Sequence, residues 1–240
     1  MDTRPTDTAP TRPGMTRAEW LWDGIVHGVG LVLLVAAVPV LITLAVVQKG
    51  DPIAVVAVAV YGATAILLFI TSALYNLVEN PRWTGVFRRL DHSAIFFKIA
   101  GTYTPFALLA GPRGAIFAVG IWACAVFGSA LKIAMPDRFR WTRFFLCLGM
   151  GWSGVALGWP LFEELPDGTI ALILAGGVVY TLGTIFYLAE RLPFHTPIWH
   201  LFVLVATGLF FAAVTLRVLH SDLAEELVPD LVPGVGVTVQ

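Results

Sequence analysis

Hydrophobic and polar positions along this chain alternate on the scale of whole membrane crossings, not of helical turns. Seven long apolar runs cover residues 24–47, 53–78, 93–109, 114–131, 144–162, 169–189 and 198–216. A bilayer core of ~30 Å is crossed by about 20 apolar residues of helix. The separators are short and polar, as in Lys49-Gly50-Asp51-Pro52, Asn80-Pro81-Arg82 and Pro166-Asp167-Gly168. Backbone groups that cannot meet water leave only helices or a closed barrel. Barrel strands alternate over ~10 residues, which these continuous runs do not. The pattern predicts an all-α membrane protein with seven transmembrane helices over residues 20–219. Residues 1–19, rich in Thr, Pro and Arg, read as a disordered tail without a cleavable signal. Residues 220–240 carry Asp222, Glu225, Glu226 and Asp230 and no Lys or Arg, and read as a flexible acidic tail.

Composition agrees with this solvent. Of 240 residues, 58% are hydrophobic and 13% charged, against roughly 45–50% and about 25% in soluble domains. A soluble globular enzyme is excluded. The net charge of −1 offers no basic face for nucleic acid. Basic residues orient the bundle. Arg4, Arg12, Arg17, Arg82, Arg88, Arg89, Lys132, Arg138, Arg140, Arg143 and Arg191 share one face, and only Lys49, Arg113 and Arg217 the other. The N-terminus is therefore expected in the cytoplasm and the C-terminus outside, in the plasma (inner) membrane. Cys124 and Cys147 fall in spans and read as small apolar residues.

Polar residues inside a span are costly and mark functional candidates. The expected topology brings four helix ends to one depth on the cytoplasmic side. They carry His27 on helix 1, Ser72 and Asn76 on helix 2, Asp91 and His92 on helix 3, and His195, Thr196 and His200 on helix 7. Ser72 and Asn76 share a face, as do Thr196 and His200. His195 and His200 are ~140° apart on an ideal helix, so they share a ligand only if His195 lies outside it. Pro197 favours that, with Thr196 as the N-cap.

Several stretches carry a resemblance. Ser72-Ala-Leu-Tyr-Asn76, Arg89-Leu-Asp-His-Ser-Ala-Ile-Phe96 and Ile99-Ala-Gly-Thr-Tyr-Thr-Pro-Phe106 are similar to the hemolysin III family, the bacterial branch of the progestin and adipoQ receptor superfamily. His27-Gly-Val-Gly30, the 176–187 stretch and Ile198-Trp-His-Leu-Phe-Val-Leu204 match in the same order. The resemblance implies a zinc site near the cytoplasmic ends of helices 2, 3 and 7. Its ligands are a helix-2 His and two helix-7 His, with a helix-3 Asp reaching the metal through water. Here Asn76 and Thr196 stand at two ligand positions, and only His200 and Asp91 match. His195 and His92 are the candidate substitutes. A second account gives the metal's charge to Lys98, drawn up to Asp91 with Asn76 and His200 in support. A third has Lys98 snorkel to the interface.

Three functions compete. One is a membrane-lipid homeostasis or sensing protein whose partners are membrane lipids. Another is a ceramidase-like lipid amide or ester hydrolase, implied by the superfamily, with Asp91 and His200 activating water. The weakest is a cytolytic pore, since no polar stripe runs a full span.

Overall fold

The computed structural model describes residues 15–135, 140–158 and 165–231. Seven helices follow in chain order: α1 (Arg17–Lys49), α2 (Pro52–Leu77), α3 (Thr84–Leu108), α4 (Pro112–Ala134), α5 (Arg140–Ala156), α6 (Asp167–Leu188) and α7 (His195–Leu231). The described residues contain no strand. Five helices are long and apolar enough to cross a membrane: α1, α2, α4, α6 and the His195–His220 part of α7. The apolar part of α5 is shorter, Phe144–Ala156, and residues 159–162 of its predicted run lie outside the described residues. In α3, 25 residues long, Arg88, Arg89, Asp91 and Lys98 lower the mean hydropathy. Position resolves that conflict. The α3 helix packs on α2 and α4 and also reaches α5 and α7, so its polar side chains can face protein instead of lipid. Large apolar residues on outer faces, such as Val32, Ile116 and Val119, are exposed as lipid contact requires.

Helix starts differ from the apolar runs where capping, not hydropathy, sets them. The α1 helix begins seven residues before its run because Thr16 and Glu19 form a capping box. Glu19 Oε2 accepts from the Thr16 amide at 2.7 Å and from its hydroxyl at 2.8 Å. The other oxygen, Oε1, accepts the Phe194 N–H at 2.6 Å. Phe194 holds a left-handed backbone (φ 58°), and α7 starts at the next residue. Thr196 is therefore inside α7 and not its N-cap. One carboxylate thus fixes the starts of α1 and α7 together, which sets the depth of everything one and two turns further in. Residues 1–14 of the expected tail, and 232–240 of the acidic one, lie outside the described residues. Residues 17–19 belong to α1, and α7 runs on to Leu231.

The core divides into two clusters. One joins Leu41, Tyr61, Phe96, Tyr103, Met150 and Val214. The other joins Leu34, Val38, Leu68, Phe69, Trp199 and Val203, next to the site described below. Close approach depends on glycine at several positions, two of them on α3 and α4. A Cβ on Gly101 of α3 would meet the Thr64 side chain on α2, and one on Gly114 of α4 would meet the Ala107 carbonyl. Gly101→Ala and Gly114→Ala are each expected to cost about 1–3 kcal/mol as overpacking. Thermal melting in detergent checks this against Gly120→Ala, where a Cβ meets nothing within 4 Å and the melt is expected to be unchanged.

Candidate functional site

Glu19, Asp23 and His27 recur every four residues on α1, so they form one stripe, and all three are buried. The α2 helix faces that stripe with Ser72 and Asn76, and α7 with His200, also buried. Buried polar groups of this kind persist only when hydrogen-bonded, and here the bonds form one connected set. His200 Nδ1 lies 2.5 Å from Asp23 Oδ1. On the other side of the ring, His200 Nε2 lies 3.3 Å from Ser72 Oγ. The Asn76 amide donates to the Ser72 carbonyl at 2.9 Å and to Ser72 Oγ at 3.3 Å. His27 Nδ1 donates to the Asp23 carbonyl at 2.8 Å, and its ring meets that of His200 edge-on, centroids 4.5 Å apart. Asp23 is completely buried, and among the described residues its Oδ2 has no hydrogen-bond partner, with His27 Nδ1 3.6 Å away.

Asp23, His27 and His200 offer ligand atoms within 4.8 Å of one another and can hold a metal ion. The zinc set that the resemblance implies is a different one, and its positions do not fit. Asn76 turns its amide nitrogen, a donor, toward Ser72, and Thr196 has no imidazole. For the α1–α7 set the residue types suit zinc, but one distance does not. Two ligands on a tetrahedral zinc, each at ~2.0–2.1 Å, are about 3.3 Å apart, whereas Asp23 Oδ1 and His200 Nδ1 approach to 2.5 Å. That contact is a hydrogen bond here, and an ion held by those two atoms would require it to open.

The remaining expected residues are not part of that ligand group. Asp91 is half-buried, with Oδ2 3.8 Å from His92 Nδ1. His92 Nδ1 also bonds the Arg88 carbonyl at 2.6 Å. His195 lies within α7, its Nε2 3.4 Å from the Thr196 hydroxyl. Lys98 is the clearest correction. Its ammonium does not rise to Asp91 and does not snorkel. It points further along α3, donates to Thr102 Oγ1 at 2.9 Å, and lies 4.7 Å from the Tyr61 ring centroid and 5.8 Å from that of Phe210. Cation–π contact replaces a counter-ion, and the contact with Tyr61 overrides the usual lean of helical side chains.

These groups border one cavity of about 1050 Å³. Ser72, Asn76, His27 and His200 line it, with Asp91, His92 and His195 also on its wall and Lys98 further along. Ile95, Ile99, Ile170 and Ile173 supply apolar wall. Asp23 does not line it and stands behind His200.

Asp23 was not among the residues expected from the sequence, because the apolar run begins at Gly24. The signal was present in the i,i+4 spacing of Asp23 with His27. Asp23→Ala removes the acceptor from a buried imidazole and is expected to cost about 1–3 kcal/mol. Lys98→Met exchanges a buried cation without a carboxylate partner for an apolar chain of similar volume, and is expected to be neutral or stabilising. Melting of both variants in detergent checks this pair, and a drop for Lys98→Met as large as for Asp23→Ala would mean that Lys98 is ion-paired.

Comparison with known proteins agrees with the motifs. A family profile described as Haemolysin-III related matches residues 18–211. Hemolysin-3 of Bacillus cereus is 41% identical over 205 residues, covering 85% of this chain and 93% of that protein. The Hemolysin-3 homolog of Bacillus subtilis (strain 168) is 35% identical over 201 residues, covering 83% and 94%. Monocyte to macrophage differentiation factor of Homo sapiens is 28% identical over 163 residues, covering 65% and 67%. With five apolar helices of spanning length and a family match over most of its length, the chain is a multi-pass membrane protein of the hemolysin III-related family.

Proposed function

We propose that the protein serves membrane-lipid homeostasis at the bacterial plasma membrane by taking the acyl chain of a lipid into its helical bundle. The observation that carries this reading is the cavity of about 1050 Å³, at the upper end of the ~300–1,000 Å³ of typical ligand pockets. It pairs apolar wall with polar groups gathered beside His200, the arrangement an amphiphile needs. The strong bias of Lys and Arg toward one face supports placing that polar end in the cytoplasm, where anionic headgroups are also attracted.

A second reading, lipid amide or ester hydrolysis, is favoured by His27, Ser72 and His200 on the cavity wall, with Asp23 buried behind His200. Zinc would supply activated water to such a reaction, and the residues that would hold it are Asp23, His27 and His200, once the Asp23–His200 bond opens. Asp91 borders the same cavity and would orient polar headgroups.

Native mass spectrometry with lipid extraction tests the main reading. Protein purified in mild detergent is expected to carry about one acyl lipid per chain, and Ile99→Trp, which fills the cavity, to lose most of it. Equal lipid content in the two proteins would contradict the reading, as would an unchanged membrane lipid profile after removal of the protein from its host.

A further inference from the structure

We propose that Ser72, His200 and Asp23 form a metal-independent nucleophilic triad that cleaves the acyl ester or amide bond of a membrane lipid. The inference rests on the lipid-acting reading above and assigns the attacking group to a serine hydroxyl instead of metal-bound water.

The direction of every proton in the cluster follows from which atoms can donate. A carboxylate only accepts, so the 2.5 Å contact at Asp23 Oδ1 places the imidazole proton on His200 Nδ1. The Nε2 lone pair is then free to accept from Ser72 at 3.3 Å. An amide nitrogen only donates, so the 3.3 Å contact from Asn76 Nδ2 occupies a lone pair of Ser72 Oγ and leaves the serine proton for Nε2. The wiring is Asn76 to Ser72 to His200 to Asp23, which is nucleophile, base and orienting carboxylate in the order this chemistry requires. The residues come from α2, α7 and α1, so no local turn accounts for their meeting. Access is graded correctly as well. Ser72 and His200 line the cavity, while Asp23 is completely buried behind them. An acyl chain lying along Ile99 and Ile173 would bring its carbonyl to the end where Ser72 sits.

Ser72 Oγ attacks the carbonyl carbon, forming a C–O bond as its proton passes to His200 Nε2. Backbone N–H groups around Ser72 are committed to the helix ladder, so the oxyanion must be met by a side chain. Asn76 Nδ2, one turn along α2, is the donor within reach, and it would shift from Ser72 to the developing oxyanion. Breaking the C–O or C–N bond to the leaving group takes the proton back from His200 and leaves an acyl ester on Ser72. Water, deprotonated by His200, hydrolyses that ester to a free carboxylic acid and restores the serine. Neither a metal nor a redox partner enters the balance.

The test uses the full chain in mild detergent with added lipid, treated with a fluorophosphonate probe and analysed by intact mass and peptide mapping. One adduct per chain is expected, on Ser72, unchanged by a metal chelator. Ser72→Ala should abolish it, His200→Ala slow it by ~10³-fold or more, and Asp23→Asn by at least ~10-fold, following the cost of removing triad members elsewhere. Melting curves and bound lipid establish that each variant is folded, and Ser72→Cys, labelled by an iodoacetamide probe at a rate that falls with His200→Ala, keeps the proposal testable if Ser72→Ala fails to fold. Absence of an adduct on Ser72 in folded, lipid-bound protein overturns the triad, as does labelling indifferent to His200→Ala. Lipid turnover that a chelator stops overturns it too, while leaving the lipid-acting reading standing. Loss of lipid binding from the wild type would instead remove the reading on which the triad rests.

Discussion

A carboxylate with no exposed surface, Asp23, is the constraint on which the rest of this site depends. An unpaired ionised group in a low-dielectric interior is so costly that it neutralises or finds partners. Asp23 has taken the His200 imidazole, at 2.5 Å, and thereby ties α1 to α7 across 177 residues of sequence. That bond orients His200, whose other ring nitrogen lies 3.3 Å from Ser72 Oγ on α2. Two contacts thus tie three helices together. The Glu19 bond to the Phe194 amide sets the same two helices at their starts, one turn earlier. Together they tie α1 to α7 at two successive levels of this end of the bundle.

Lys98 illustrates the opposite solution to burial. It is deep inside the bundle, 4% exposed, and carries its charge on a hydroxyl and an aromatic face instead of a carboxylate. A polar residue within a span is expected to have a use, and this one sits on the wall of the cavity. The cluster around His200 and the ammonium of Lys98 are thus two polar points on one cavity, separated by apolar wall.

Much of the fold was legible in the sequence because the bilayer imposes a length of about 20 apolar residues that no other environment demands. Runs of that length fixed the number and order of the helices. Their ends were less legible, since capping at Thr16 and Glu19 carries α1 outward beyond its apolar run. That extension matters, because it is what makes Asp23 part of a helix and places it one turn from His27. The gathering of His27, Ser72, Asn76 and His200 followed from topology alone. Which of them touch did not. Asp91 is conspicuous in the sequence motif yet lies half-buried to one side. Lys98 turns the other way because Tyr61 and Phe210, on other helices, offer rings that only the folded bundle brings near.

The proposed triad requires that His200 hold its proton on Nδ1, shared with Asp23, and present a lone pair at Nε2 to Ser72. Solid-state NMR of the protein in bilayers, with nitrogen-15 in its five histidines, reads this directly. The Nδ1 atoms of His27 and His92 also bond backbone carbonyls, so the His200 signal is assigned by its loss in His200→Ala; it should be a neutral Nδ1–H tautomer with a strongly deshielded proton that Asp23→Ala removes. A His200 found as the Nε2–H tautomer, or with Nδ1 bonded to a metal, would contradict the account.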